Sequence, residues 1–525
     1  MTHYPDFIPV VIVGGGPTGL TCANLLHSHG VPYVLLDKAD GPLNIPRAIV
    51  LDDEGSRTLQ TFGLHRTYLT TTVPGQGSRY FDDNGICFAE TGAGPMAFGF
   101  PMRQFILQPE LEDALRAALI GRGAQGPLYR SEVTGIAQDD HGATVTVRDA
   151  DGANHAIRTR WVLACDGGRS PLRDLLSITM TGNTYAEDWI VVDTQDDPDQ
   201  EPVSKFFCSH HRPSVSVPAP RGGRRYEFML LDGESREEML SPGTLAELLR
   251  PFRVYDEAKV LRKTVYTFHA RIAERYRQGR TVLLGDAAHL TPPFAGQGMN
   301  AGLRDAHNVV WKIAAVEQGG ASAGIIDSYE LERRKPAWDM IQLAVTMGKF
   351  VMPRQARDIE FRERLLENLA PYPAVRDFLI QMRFKPKPNH PDGLYLDKDR
   401  QPYEGSLVGQ MIPQPRFRSG KDTVLLDDLI GCGFALVAQD GPGSAALDRL
   451  ADDHLLGLPL AKIHLPQAGA VRRDRLALID EAVARPLRTH RDQILLIRPD
   501  RYCAAAASPD DLHIMLERYA RALGD

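Results

Sequence analysis

Between Thr281 and Lys312 the chain reads Gly285-Asp286-Ala287-Ala288-His289-Leu290-Thr291-Pro292-Pro293-Phe294-Ala295-Gly296-Gln297-Gly298-Met299-Asn300, and much of what this string offers a ligand is backbone. The apolar run Val282 to Leu284 reads as a strand, the prolines as a loop, and Gly298, Met299 and Asn300 as the first residues of a helix. Positions 299, 303, 306, 310 and 313 are apolar at helical spacing, so the helix buries one face and its open end is fixed in place. First-turn N–H groups have no partner inside a helix, and the helix dipole adds positive potential there. A ligand that carries or gains negative charge is favoured at such a point. Near the start of the chain, Gly14-Gly15-Gly16-Pro17-Thr18-Gly19 follows the apolar strand Phe7 to Val13 and opens a helix to about Ser28. The next strand, Tyr33 to Leu36, runs into Asp37-Lys38, with Asp37 placed 23 residues beyond Gly14. Glycines at 14, 16 and 19 permit a tight turn, the approach of a pyrophosphate and close helix–strand packing, and the acid accepts ribose hydroxyls. Strand, glycine turn, helix, strand and acid in this order predict dinucleotide binding, without choosing between FAD and NAD.

Other residues of suitable type lie between these two stretches. Arg47, in Pro46-Arg47-Ala48, either solvates its loop or pairs with pyrophosphate or ring oxygens. Gln108 precedes Pro109 at the start of a helix, where a cap is the plain reading. Val133 to Val147 and Ala156 to Ala164 read as strands, and the second ends in Cys165-Asp166-Gly167-Gly168, an ordinary turn string. From about Gly182 to Arg277 short alternating runs predict half-buried strands. These carry the polar candidates His210, His211, Arg212, Arg225, Tyr226, Tyr266 and His269. Arg225 and Tyr226 are neighbours on one strand, so at most one faces any pocket.

The elements that must hold these residues belong to a chain of 525 residues, long enough for two or three cores. Hydrophobic content of 43% and charged content of 24% are those of a globular protein. A net charge of −7 and a pI near 6.2 give no electrostatic footprint for nucleic acid or an anionic membrane. Residues Met1 to Pro9 lack a signal pattern and no apolar run is long enough to span a bilayer, so a cytoplasmic protein without membrane attachment is expected. Six scattered cysteines (22, 87, 165, 208, 432 and 503) form no Cys-x-x-Cys pair, which argues against a disulfide framework, a metal site and a redox dithiol. A Pro-rich stretch from Phe384 to Gly393 reads as a linker. After it, strand-like Thr423 to Leu426, Phe434 to Ala438 and Ile494 to Arg498 accompany helical Asp474 to Ala484 and Ser508 to Ala522.

The string from Gly285 to Asn300 resembles the second FAD motif of the single-component (class A) flavoprotein aromatic hydroxylases. Pro46-Arg47-Ala48-Ile49, with Asp52-Asp53-Glu54, is similar to the corresponding segment of the 3-(3-hydroxyphenyl)propanoate hydroxylases within that class. So are Val265-Tyr266-Thr267, Met382 to Pro386 and Arg498-Pro499-Asp500-Arg501. The resemblance implies an α/β fold: a Rossmann-like FAD-binding domain, an inserted β-sheet substrate domain and a thioredoxin-like C-terminal domain. The implied boundaries are 1–181 and 280–405 for the FAD domain, 182–279 for the substrate domain with a contribution from 74–100, and 406–525 for the tail. Cys432 stands without a partner, so the tail is assigned to packing or homodimer formation.

The resemblance further implies that FAD is held by Gly14, Gly16, Pro17, Thr18, Gly19, Asp37, Lys38, Arg47, Gln108, Asp166, Gly285, Asp286, Pro293, Gly296, Gly298, Met299 and Asn300. NADH or NADPH is the implied transient donor. The resemblance implies as well that O2 is captured as a flavin C4a-hydroperoxide and that a phenolic substrate is hydroxylated. Arg47 and Pro293 are the expected catalytic contributors beside the flavin, with His210 and Tyr226 as candidates in the substrate pocket. Where the hydroxyphenylpropanoate group carries Trp-Gln before Gly-Gln-Gly, this chain has Phe294-Ala295, which looks more like general phenol hydroxylases, so a simple phenol or resorcinol stands beside the arylpropanoate as substrate. Two rivals remain at this point, a non-catalytic FAD-binding sensor and a flavin oxidase releasing peroxide. A disulfide reductase lacks its cysteine pair here, and a flavin halogenase its Trp-x-Trp-x-Ile-Pro string.

Overall fold

The structure, a computed structural model, describes residues 4–351, 353, 355–372, 374–375, 386–400, 405–466 and 476–524. The resemblance at Met382 to Lys385 and the start of the linker fall outside these residues.

Four parallel strands organise the first half. Phe7–Val13 lies between Tyr33–Leu36 and Asn154–Ala164, and Thr281–Leu283 pairs with the last. Their adjoining stretches, Val10 to Val13, Tyr33 to Leu36, Trp161 to Ala164 and Val282 to Leu283, are apolar and buried, as strands covered on both faces must be. Their register aligns Leu36 with Val13, Val13 with Ala164, and Ala164 with Leu283. Every strand therefore stops at the same level, which brings Gly14, Asp37, Asp166 and Asp286 to one edge, the crevice where open α/β sheets bind ligands. The helices Pro17–Ser28 and Gly298–Glu317 pack together over the sheet. Residues 133 to 147 form a hairpin, not one strand. The Asp139 carboxylate accepts from the N–H groups of His141 (2.8 Å) and Gly142 (2.9 Å) and turns the chain there.

The second sheet has eight strands, in spatial order His289–Leu290, Val260–Ala273, Met180–Thr194, Gly223–Met229, Ser214–Ala219, Ser204–Phe207, Ser78–Phe81 and Cys87–Thr91. One face carries Tyr226, Phe228, Ile190 and Val192 against the helix Pro242–Leu249. The other carries Trp189, Phe206, Val215, Val217 and Met229, and packs with Phe268, Phe294 and Met347. His289–Leu290 joins this sheet directly after Gly285-Asp286, so the Gly-Asp turn and the roof are one continuous piece.

The tail is built as Phe434–Gln439, helix Pro442–Arg449, Leu458–Leu465, helix Glu481–Arg488, Ile494–Ile497, Cys503–Ala507 and helix Leu512–Gly524. The first strand pairs in parallel with the second and antiparallel with the third, which pairs antiparallel with the fourth. Leu476–Leu478, expected to be helical, pairs as a strand with Arg416–Ser419, and the helix starts at Glu481. Two buried charge clusters hold the tail to the rest. Asp427 accepts from Arg57 (2.5 and 2.7 Å) and Arg501 (3.0 Å). Glu332 accepts from Lys312 (2.7 Å) and from both terminal nitrogens of Arg498 (2.6 and 2.7 Å). Among the described residues no helix is long and apolar enough to cross a membrane.

Candidate active site

The glycines of the first turn divide by what surrounds them. At Gly14, whose φ is 105°, a Cβ would lie 2.3 Å from the Cys165 carbonyl oxygen, and at Gly19 it would lie 1.9 Å from that of Gly14. These two glycines allow helix, turn and neighbouring strand to touch. At Gly16 and Gly298 a Cβ would meet nothing within 4 Å, so both turns are open on the ligand side. Asp37 is held by the N–H groups of Gly15 (2.6 Å) and Ala39 (2.8 Å) and lines the edge of the crevice.

Behind the Gly-Asp turn, Asp305 is fully buried. It accepts from the Gly285 N–H (3.0 Å) and Arg333 (2.9 Å) and bonds His289 Nε2 (2.7 Å). Burial raises its pKa, but His289 and Arg333 outweigh that and hold it at about 2. Gly285, at φ 58°, lets the chain turn so that Asp286 opens on the crevice. The Asp286 carboxylate has no hydrogen-bond partner among the described residues. Protein enclosing the crevice raises its pKa against the pull of His289 and Arg47. The helix Gly298–Glu317 then starts with no side-chain cap, which leaves its first-turn N–H groups for a ligand. Asn300 differs from expectation. Its Nδ2 donates to the carbonyls of Val50 (3.0 Å) and Gly296 (2.8 Å), and its Oδ1 accepts from the Asp52 N–H (3.0 Å). The side chain is a brace, and only the backbone N–H remains for a ligand.

One cavity of about 910 Å³ runs along this edge and under the second sheet, near the upper end of the range of small-molecule sites. Gly14, Gly16, Pro17, Thr18, Asp37, Lys38, Arg47, Gln108, Asp166, Asp286, Pro293, Gly296, Gly298 and Met299 line it. Gly19, Gly285 and Asn300 shape it from behind. Gln108 accepts from the Ala48 N–H (2.7 Å) and donates to Glu112 (2.8 Å), so it fixes the Arg47 loop. At the sheet end the lining is Tyr80, Phe206, Val215, Val217, Phe268 and Phe294, with Arg103, Arg225, Glu227, Tyr266 and His269. Phe294 packs edge-on against Trp189 (5.7 Å) and Phe268 (5.6 Å). Arg103 donates to Ser78 Oγ (2.6 Å), and its other N–H groups have no partner among the described residues.

Two expected pocket residues lie elsewhere. His210 is on the surface, paired with Asp83 at 2.5 Å. Tyr226 points to the opposite face of its strand, where its hydroxyl donates to Asp197 (3.0 Å). The alternation Arg225-Tyr226-Glu227 puts the two charged residues on the cavity side, so it contained the signal for Glu227, which motif reading passed over.

Residues 8–344 match the family described as an FAD binding domain, and 409–522 match the HcaD C-terminal domain. The chain belongs to the FAD-binding class A monooxygenase family. A Mycolicibacterium smegmatis protein named 3-(3-hydroxy-phenyl)propionate/3-hydroxycinnamic acid hydroxylase is 36% identical over 516 residues, covering 96% of this chain and 91% of that one. A Klebsiella pneumoniae protein of the same name is 35% identical, covering 100% and 98%. Among solved structures, the flavin-dependent monooxygenase PieE superposes with a TM-score of 0.80 at 20% identity, covering 99% of this chain and 100% of that one. Aklavinone-11 hydroxylase does so at 0.77 and 22%, with the same coverage. At those identities the structures speak for the fold, and the full-length relatives speak for the chemistry: this is a flavin-dependent aromatic monooxygenase.

The residues present suit the FAD that family membership implies. Asp166 Oδ1 is buried without a partner among the described residues, and burial raises the pKa of that carboxyl, so a donor from a ligand would complete it. The Arg47 guanidinium makes no hydrogen bond to any described residue, and the turns at Gly16 and Gly298 have the room a phosphate and a ring edge require.

Proposed function

We propose that this monooxygenase uses NADH or NADPH and O2 to hydroxylate a phenolic ring, either a 3-(3-hydroxyphenyl)propanoate-like acid or a simple phenol or resorcinol. The observation that carries this reading is the continuity of the cavity from the Gly14–Thr18 turn, past the helix start at Gly298, to an aromatic-lined chamber under the sheet. In it, Gly16, Pro17 and Thr18 would hold the pyrophosphate with Arg47 as counter-charge, Asp37 and Lys38 the ribose, and Gln108, Asp166 and Asp286 the ribityl side. Pro293, Gly296, Gly298 and Met299 would hold the ring edge. FAD, when bound, supplies the oxygen-transferring chemistry. The chain's own work is to orient the ring, exclude water and place positive potential where negative charge develops. A tail of thioredoxin-like type is part of the proposal, supported by its β-α-β-α-β-β-α order and by the parallel pairing of its first two strands. The division at 181/182, 279/280 and 405/406, and homodimer formation through the tail, belong to it as well.

The names of the relatives favour a substrate with a carboxylate, and Arg103 is a cation at the sheet end with donors to spare. Arg103→Met is expected to raise KM for 3-(3-hydroxyphenyl)propanoate at least tenfold and to leave that for resorcinol within about twofold, since a hydrogen bond to a charged group contributes about 1.5–3 kcal/mol. Equal effects on both would remove Arg103 from recognition. A panel of hydroxyphenyl acids, resorcinols and phenols, scored by product mass, tests the function. NADH or NADPH oxidation yielding only peroxide with every phenol would favour the oxidase, and no oxidation at all the sensor.

A further inference from the structure

Glu227 stands two residues from Arg225 on the strand Gly223–Met229, on the face that lines the cavity. Register across the sheet sets Val191, Glu227, Val215, Phe206 and Tyr80 in one row. That row is apolar or aromatic on both sides of a single carboxylate. Glu227 is 8% exposed and accepts no hydrogen bond from any described residue. Its nearest cation, Arg225 Nη1, is 4.0 Å away. Arg225 is already engaged: Nε and Nη2 donate to Asp193 (2.6 and 3.1 Å), Nη1 to the Arg47 carbonyl (2.6 Å) and Nη2 to that of Pro46 (2.7 Å). The carboxylate opens on the cavity, so the donor that no described residue supplies is left for a ligand to bring. Two neighbouring polar groups of the roof are occupied, the Tyr266 hydroxyl with Arg262 and His269 Nδ1 with Thr184.

We infer that Glu227 receives the hydroxyl of the ring to be hydroxylated and takes its proton, acting as the catalytic base for a phenol bound against Phe206 and Val215. The inference rests on the phenol-hydroxylating reading above. The step is a proton transfer alone: the phenolic O–H bond breaks, a carboxyl O–H bond forms, the phenolate keeps the electron pair, and the proton returns to the product oxygen on release. A ring that has lost its proton is more electron-rich and reacts more readily with an electrophilic oxygen. Burial raises the Glu227 pKa against Arg225, with Asp193 adding to the rise and Arg262 opposing it. This narrows the gap to a phenol and makes the carboxylate a better base. The same charge orients the substrate, because a carboxylate on the ligand is repelled from Glu227 and directed to Arg103.

The test compares FAD-loaded wild type, Glu227→Gln and Glu227→Asp with the best phenol of the panel, and uses 4-nitrophenol as a spectroscopic ligand. Glu227→Gln is expected to retain FAD, while hydroxylated product falls by about a hundredfold and the share of consumed O2 released as peroxide rises. Glu227→Asp should recover part of the loss. Bound 4-nitrophenol should show its visible phenolate band in wild type, at a pH where the free ligand is protonated, and lose it in Glu227→Gln. Wild-type product formation and an unchanged band in Glu227→Gln would overturn the inference and leave hydroxylation standing. Absence of hydroxylation of any phenol by wild type would instead overturn the functional reading.

Discussion

Asp305 touches no ligand and yet determines where Asp286 points, because it holds the Gly285 N–H, His289 and Arg333 at once. Its native pKa of about 2 lies below the ordinary 3.8, so between those values the folded chain binds fewer protons than the unfolded one. Stability from this group is therefore complete above about pH 4 and lost as pH falls through 2, on the order of 2 kcal/mol in all. Denaturant titrations of wild type and Asp305→Asn should differ most at neutral pH and converge as pH falls through that window. A gap independent of pH would show that the ion pairs contribute nothing. Residue types announced the backbone features of the site, since Gly14, Gly16 and Gly298 are legible from what glycine alone permits. Side-chain roles were less legible. Asn300 looks like a ligand contact in a motif and is a brace in three dimensions. His210 and Tyr226 have reactive groups, but one is turned to solvent and the other to the far face of its strand.

The element that matters most is the helix Gly298–Glu317, whose start is fixed from three sides. Asn300 ties it to Val50 and Asp52, Arg304 pairs with Asp52 and Glu54, and Gly302 lies against the first helix. A Cβ on Gly302 would stand 2.3 Å from Thr18 Oγ1 and 3.2 Å from the Gly285 Cα. Thr18 is β-branched and stiff, so the helices must separate. Gly302→Ala is expected to cost about 1–3 kcal/mol and to weaken FAD binding at least tenfold, read by flavin fluorescence on titration; unchanged affinity would show that the crossing can relax. The helix and the parallel strands were legible because each combines a strong period with a glycine turn. Two elements were misread for local reasons: the hairpin at Asp139 turns on one carboxylate accepting two backbone N–H groups, and Leu476–Leu478 is a strand because Arg416–Ser419 offers it an edge.

At the scale of the molecule, the tail is bound to the FAD-binding part by charges buried on both sides. Lys312 is pushed down to about 8 by burial, against the pull of Glu332, and such pairs are costly to split. Asp427→Ala leaves Arg57 and Arg501 facing each other without a carboxylate, and should lose about 3–5 kcal/mol in thermal or denaturant unfolding. A variant as stable as wild type would show that the tail is only loosely attached. The parallel sheet and the roof together make one path from dinucleotide turn to aromatic chamber, and oxygen transfer to a ring is proposed to take place inside it. The most direct measurement is product analysis after turnover of the FAD-loaded protein with a phenol, NAD(P)H and isotopically labelled O2. One labelled oxygen atom is expected on the ring of the product, at a rate that follows NAD(P)H oxidation. Label found only in peroxide and water, with the phenol recovered unchanged, would contradict it.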